Sequence, residues 1–348
     1  MSDQSGEAHS IVNLQGRRIL IVSPSFFGYE RRIMERLERR GAQAVFVDDR
    51  PSNSTLSKTL IRLSPRLVQS RLDAYHRATI LRFQGNTFDD ILFISPESCS
   101  IETIRRYRES FPDARVLLYM WDSFENKRQK DVPGFLKLFD MAFSFDGQDC
   151  EKYAMHFRPL FFCGPVTEGE PEPRKETYVF SFIGTIHSDR YKILKSLENQ
   201  VKRLGQACFI YPYLPSVLHY WLFKLTRREF RGVRKADFRF HPLPYADVLQ
   251  VMRHSAAIVD IEHPNQRGLT MRTLEVIGSG RKLITTNRNV VDYPFYSPER
   301  IQVIDRNAPK ILPVFLESAV GPLPAGTLAP YSLEGWLDDL FSGGAENG

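Results

Sequence analysis

The sequence predicts two consecutive doubly wound α/β domains, each a mostly parallel sheet covered by helices. Three observations predict this class. The 348 residues exceed the size at which a single hydrophobic core stops growing. Short, continuously apolar runs of the kind buried on both faces of a parallel sheet recur along the chain, separated by stretches with helical spacing. A charged, proline-rich segment without apolar residues, TEGEPEPRKET at 167–177, divides these runs into two series of similar size.

In chain order, a polar leader, 1–16, is expected to be disordered. RRILIVSP (17–24) reads as a strand ending in a turn, and YERRIMERLERRG (29–41) as a helix with Ile33, Met34 and Leu37 on one face and a glycine at its stop. AVFVDD (44–49), DDILFIS (89–95), ARVLLYM (114–120), DMAFSFD (140–146) and PLFFC (159–163) repeat the strand pattern, while 52–84 is a basic insertion broken by Pro65. The first domain is therefore 17–166. Beyond the linker at 167–177, the strands YVFSFIG (178–184), ACFIY (207–211), DFRFHP (237–242), AAIVDI (256–261), RKLITTN (281–287) and RIQVID (300–305) build a second domain, 178–306. YADVLQVMRHS (245–255) and TMRTLEVIGS (270–279) are helices between them. A tail, 307–348, ends in YSLEGWLDDLF, whose Leu333, Trp336, Leu337 and Leu340 form a stripe that reads as packing.

Composition narrows the function classes. With 42% hydrophobic and 25% charged residues, the chain is of ordinary soluble globular type. The 47 Lys and Arg against 41 Asp and Glu leave only +6, so attraction to phosphate must come from local clusters. Cys99, Cys150, Cys163 and Cys208 lack disulfide or zinc spacing, which fits a reducing cytoplasm. The N-terminus lacks the order of a signal peptide, and no run approaches the roughly 18 apolar residues of a membrane span. The expectation is a cytoplasmic protein that at most lies on the inner face of the membrane. Nucleic acid is set aside as a partner, because it would leave the loop-and-helix motifs of the second domain unexplained.

The densest of these motifs is DIEHPNQRGLTMRTLEVIGSGRKLITTN at 260–287. A strand runs into a cationic loop, then a helix, then another strand. Thr270 is placed to cap the helix, so its free amides and positive end suit a phosphate. Arg267 and Arg272 add charges that grip phosphate oxygens in pairs. Glu275, one turn on, can accept hydrogen bonds from ribose hydroxyls, and Gly268 allows close backbone approach. A second element, FSFIGTIHSDRYKIL (180–194), offers the amides of Gly184 and Thr185 together with Arg190 to the same diphosphate. His187 and His263 are candidate contacts to the leaving group.

TLEVIGSGRKLITTN resembles the helix-then-strand signature of GT-B glycosyltransferases. HPNQRGLTMRTLEVIGSGRKLITTN together with HPLPYADVL resembles more closely the bacterial glycosyltransferases of the spore-maturation-protein and capsule or lipopolysaccharide type, over about Tyr178 to Asp305. The resemblance implies two Rossmann-like domains facing across a cleft and Glu275 as ribose ligand. It also implies a nucleotide-sugar donor held mainly by the second domain and a glycan or lipid-linked acceptor held by the first, in bacterial surface polysaccharide synthesis. It places SPSFFGYE (23–30) at the acceptor or the transferred sugar, with Ser25 in that loop, Gly28 permitting approach and Tyr29 stacking on a sugar ring. The sequence departs from the pattern in one respect. Many retaining enzymes carry a glutamate eight positions before the ribose ligand, where this chain has Arg267, a residue better suited to phosphate.

Asp122, Asp146 and Asp149 end strands of the first domain and are placed to reach the cleft, Asp146 as a candidate acceptor contact and Asp122 as the candidate general base of an inverting transfer. No DxD motif is present, and no metal or other cofactor is expected if the arginines, Arg267 among them, stabilise the departing diphosphate. The stretch 211–235, with six basic residues and one acid, is a candidate contact with an anionic membrane. The alternative function is a catalytically inactive module of the same fold that binds sugar nucleotides.

Overall fold

The computed structural model describes residues 11–51, 65–127, 131–164, 177–264 and 266–342. It divides into two compact units, one of Met1–Cys163 with Leu333–Gly348 and one of Gly164–Ser332. Most of the sequence-predicted linker, 167–176, the leader up to residue 10 and residues 52–64 of the insertion lie outside the described residues.

The first unit is a six-stranded sheet of β1 (Arg18–Ser23), β2 (Gln43–Asp48), β3 (Asp90–Ile94), β4 (Arg115–Met120), β5 (Met141–Ser144) and β6 (His156–Phe157). The order is β2-β1-β3-β4-β5-β6, and every pairing is parallel. β3 is buried along its whole length and β4 nearly so, as expected of central strands covered on both faces. Leu20, Val22, Phe93 and Leu118 meet Ile104, Tyr107, Phe124 and Phe135 of the covering helices in one core. The chain winds from β1 to β2 on one side and then crosses to β3 on the other, so the order reverses between β1 and β3.

The structure departs from the sequence reading at the sixth strand. PLFFC at 159–163 is no strand; the strand is His156–Phe157, just before it. Pro159 has no amide to donate to a ladder. Phe161 and Phe162 owe their burial to packing: Phe161 meets Trp336 at 4.7 Å, and the amide of Leu333 donates to the carbonyl of Phe162 at 3.0 Å. The helix Leu333–Phe341 completes this unit, with Trp336, Leu337 and Leu340 fully buried and Tyr119 at 4.9 Å from the indole. Its acidic residues fix its register: Glu334 pairs with Arg36, Asp338 with Arg40 at 2.5 Å and Asp339 with Arg158 at 2.7 Å. The residues from 307 onward, read as one tail, are thus shared, 307–332 with the second unit and the rest with the first. The described part of the insertion is a helix, Pro65–Arg82, with proline in its first turn, where a missing amide costs nothing.

The second unit is a five-stranded parallel sheet of β7 (Tyr178–Thr185), β8 (Phe209–Tyr213), β9 (Ser255–Asp260), β10 (Lys282–Thr285) and β11 (Ile301–Val303), ordered β11-β10-β9-β7-β8. Phe180, Phe182, Val259, Ile284 and Leu197 centre its core. DFRFHP at 237–242 forms no strand of its own; only Arg239 bridges to Tyr213 at the sheet edge. Here too the order reverses, between β7 and β9. In doubly wound sheets, ligands bind beyond the carboxyl ends of the strands at such a switch point.

Candidate functional site

The carboxyl ends of β7 and β9 carry the residues that the sequence singled out. Beyond β9, Thr270 caps the helix Met271–Gly278, its hydroxyl oxygen accepting from the amide of Thr273 at 3.1 Å. Asp260, the last residue of β9, is buried below that helix end and accepts from the hydroxyls of Thr270 at 2.5 Å and Thr273 at 2.7 Å. Arg272 Nε lies 4.0 Å from the same carboxylate. A negative charge therefore already occupies the inner side of the positive helix end. Thr273, Leu274, Val276 and Ile277 face the core, which leaves Met271, Arg272 and Glu275 on the half-exposed side. Arg272 and Glu275, three apart, are neighbours on that face.

Arg272 also meets β7. Its guanidinium lies over the ring of Phe182, 5.6 Å from the centroid, and its Nη2 would stand 3.4 Å from a Cβ added at Gly184. The tighter approach there is that of Phe182, whose Cζ would stand 3.0 Å from the same Cβ, so Gly184 gives room to the ring on which the arginine lies. The loop before the helix is pinned from the end of β10: Asn287 Nδ2 donates to the carbonyls of Arg267 at 3.2 Å and Gly268 at 3.3 Å, and Asn289 Nδ2 to Arg267 at 2.9 Å. The Arg267 side chain is exposed, and Gly268 is buried.

Arg190 is placed otherwise than a phosphate ligand. It begins the helix Arg190–Arg203, and its Nη1 donates to the carbonyl of Thr185 at 2.6 Å while Nη2 donates to that of Ile261. It therefore clamps the end of β7 to the residue after β9. Burial pulls its pKa from 12.5 down to about 10, Asp260 working against this. The two histidines do come together, their rings 5.6 Å apart. Burial holds His187 neutral, with a pKa near 3, and Arg190, His263, Arg227 and Arg306 reinforce it. A neutral imidazole offers a hydrogen bond to an anion but no charge. Ser188, next to it, adopts a left-handed φ of 45°, and its carbonyl accepts from Arg227 at 3.1 Å.

Sequence reasoning missed the residues that hold these loops. Arg306, following β11, binds Asp189 at 2.7 Å and both the carbonyl and the carboxylate of Glu262, at 2.6 and 2.7 Å. Glu262 accepts in turn from Thr286 at 2.5 Å. Loops from β7, β9, β10 and β11 are thereby joined through one guanidinium and two carboxylates. The signal was modest: Asp260 and Glu262 stand in the quoted motif, but nothing local marks Arg306 as their partner.

In the first unit, Ser25, Gly28 and Tyr29 follow β1 at its switch point. Ser25 Oγ donates to Asp48 at 2.7 Å, and its carbonyl accepts from Arg50 at 2.9 Å. Phe27 and Gly28 both have left-handed φ, 52° and 80°, which turns the exposed rings of Phe26 and Phe27 outward beside Tyr29 and Trp121. Asp122 is exposed just beyond β4. Asp146 is not placed to meet an acceptor. It is buried as the cap of the helix Gly147–Tyr153, accepting from the amide of Gln148 at 2.9 Å, and Asp149 likewise accepts from Phe124 at 2.9 Å.

A buried polar cluster behind the β1 loop was not foreseen. Asp49 accepts from the amides of Glu97 at 2.5 Å and Ser98 at 3.0 Å, and burial lifts its pKa to about 6. His76 lies within 3.1 Å of the Asp49 carbonyl and 3.3 Å of the Tyr107 hydroxyl, and burial lowers its pKa to about 4. An open hollow of about 610 Å³, lined by Phe124, Gln148, Asp149 and Tyr153, lies beyond β4 and β5, away from the switch point. Among the described residues, no group of three or more His, Cys, Asp or Glu is arranged to hold a metal ion.

The two parallel sheets, each with its switch point, define a two-domain Rossmann-like GT-B fold. Solved structures agree. The chain is similar to an alpha-glucosyltransferase in complex with UDP and a 13-mer DNA, with TM-score 0.54 and 15% identity over 83% of this chain and 87% of that one. It is similar also to OtsA in its apo form, with TM-score 0.52 and 11% identity over 93% and 91%. HepE of Anabaena, in complex with UDP and glucose, gives TM-score 0.51 and 8% identity over 84% and 85%. At such identities, the likeness establishes the fold alone. No protein-family model and no curated protein matches the sequence.

Proposed function

We propose that the protein is a glycosyltransferase that moves a sugar from a nucleoside-diphosphate sugar to a glycan or lipid-linked acceptor, in bacterial surface polysaccharide synthesis. The observation that carries this reading is the switch point of the second sheet, where Arg272, stacked on Phe182 against Gly184, shares a half-exposed helix face with Glu275. A diphosphate bound there would meet the helix amides, Arg272 and the pinned, exposed Arg267, while Glu275 is one turn farther along for the ribose. Neutral His187 would add a hydrogen bond to the departing phosphate. Catalysis would then rest on positioning and on charge stabilisation of the leaving group by arginines rather than a metal. Asp122, exposed at the end of β4, is the proposed base for the acceptor hydroxyl. Asp146, occupied as a helix cap, and Arg190, occupied as a strand clamp, are left out of the chemistry.

The carboxylate of Asp260 fits this reading. It offsets part of the cationic cluster while no diphosphate is bound, and it holds Thr270 and Thr273 so that the helix end is preorganised. The test is a thermal-shift screen of the chain against nucleotides and nucleotide sugars, since a ligand of the folded state raises its melting temperature. A shift with a uridine or another nucleoside diphosphate that disappears in Arg272→Ala and Glu275→Ala supports the site. No shift with any of them removes it.

One observation favours a second reading, a binding module without turnover: Arg267 stands where many retaining GT-B enzymes carry a glutamate. Release of nucleoside diphosphate from a bound sugar nucleotide separates the two, because the module would bind without release.

A further inference from the structure

The helix Val217–Thr226, VLHYWLFKLT, is apolar around most of its circumference but buries only one side. The inner side is well anchored. Tyr220, 2% exposed, packs with Phe238, donates its hydroxyl to the Val233 carbonyl at 2.9 Å, and Phe223 meets Phe230 at 5.2 Å. The outer side carries Leu218, Trp221, Leu222 and Leu225, which are 76%, 50%, 53% and 84% exposed. Their spacing, i, i+3, i+4 and i+7, puts them in one row along the helix. A helix apolar on all sides belongs in an interior, and an exposed apolar row marks a surface that something covers.

The charges just beyond the helix indicate the occupant. Arg228, Arg231, Arg234 and Lys235 are all exposed, whereas the acids from 217 to 239 are only Glu229 and Asp237, the latter paired with Arg234 at 3.3 Å. The segment that follows the apolar row is thus strongly cationic and exposed. Pairing with a second copy through this face would bring like charges together. A bilayer with anionic headgroups instead supplies hydrocarbon for the leucines, an interface for the indole and phosphates for the guanidiniums. We propose that this face docks the second unit onto an anionic membrane, with the helix lying in the interfacial plane. No described helix is long and apolar enough to cross a bilayer. The proposal does not depend on the glycosyltransferase reading.

The test is co-sedimentation of the full chain with vesicles of phosphatidylcholine alone or mixed with phosphatidylglycerol. The expected result is binding to the mixed vesicles that weakens as salt is raised, with a blue shift of tryptophan emission that Trp221→Phe abolishes. Leu218→Glu with Leu222→Glu should lower vesicle affinity by about tenfold or more without moving the melting temperature, because both side chains are exposed. Should that pair disturb folding, Leu225→Glu alone, at the most exposed position of the row, carries the same test. Arg228→Glu with Arg231→Glu should remove the preference for anionic lipid, each lost cation being worth a factor of about five. Failure to bind either vesicle, binding indifferent to these variants, or a concentration-dependent dimer broken by the leucine variants would overturn the proposal.

Discussion

Arg190→Met separates two roles for one arginine. As a clamp, the side chain joins the carbonyls of Thr185 and Ile261, the first at 2.6 Å, across the switch point of the second sheet. Methionine keeps much of the volume but donates nothing. The loss of two hydrogen bonds from a charged donor costs roughly 2 kcal/mol each. Against this, the variant no longer buries a cation, whose pKa reduction from 12.5 to about 10 corresponds to roughly 3 kcal/mol. The net loss is then about 1 kcal/mol, which lowers the melting temperature of a unit this size by roughly 2–4 °C. Scanning calorimetry of the full chain measures it, alongside titration with a nucleoside diphosphate that binds the unchanged protein. Arg190→Lys should recover part of the loss, since an ammonium reaches one carbonyl at a time. An Arg190→Met variant that melts within a degree of the original while nucleotide affinity falls severalfold would refute the clamp; the guanidinium would then be a ligand group.

Three further outcomes are expected. Gly184→Ala places a Cβ 3.0 Å from Phe182 and 3.4 Å from Arg272 Nη2, so it should raise donor KM by about tenfold with a smaller change in kcat; unchanged steady-state kinetics would mean that Arg272 does not meet the donor there. Asp49, raised from 3.8 to about 6, destabilises the fold when ionised and sheds that cost as pH falls through 6, whereas His76, lowered from 6.5 to about 4, loses stability as pH falls from 6.5 through 4. Each amounts to roughly 3 kcal/mol and they oppose one another, so Asp49→Asn should make urea-unfolding stability fall more steeply as pH is lowered between these values; an unaltered slope would contradict the assignment. Trp336→Ala empties the largest fully buried side chain beside Tyr119 and Phe161 and should cost about 3–5 kcal/mol in the first unit alone, visible as an early transition in urea while the second unit's transition stays put.

The sheets were legible because their strands are unbroken apolar runs between turn signals, which only a doubly covered parallel sheet needs. PLFFC misled for the same reason: burial of Phe161 and Phe162 comes from a helix more than a hundred residues later, and an apolar run does not say what covers it. In the second unit the cap at Thr270 and the pairing of Arg272 with Glu275 on one face followed from local spacing, which a sequence displays directly. Arg190 did not, since its role depends on the carbonyl of Ile261, distant in sequence. The Arg306 network and the Asp49–His76 cluster are non-local in the same way, and their charge pattern alone looked like ordinary surface. Asp146 combined both signals, a carboxylate at a strand end and a helix start, and the helix start prevailed.

The helix Leu333–Phe341 gives the chain a particular assembly order. The second unit is an insertion within the first, whose interior lacks Trp336, Leu337 and Leu340 until the residues after Ser332 have been synthesised. A ribosome therefore delivers the whole of the later-encoded unit before the earlier one can close. A nascent chain halted anywhere short of that helix would expose an open apolar groove along Tyr119 and Phe161, a natural mark for chaperone capture or proteolysis.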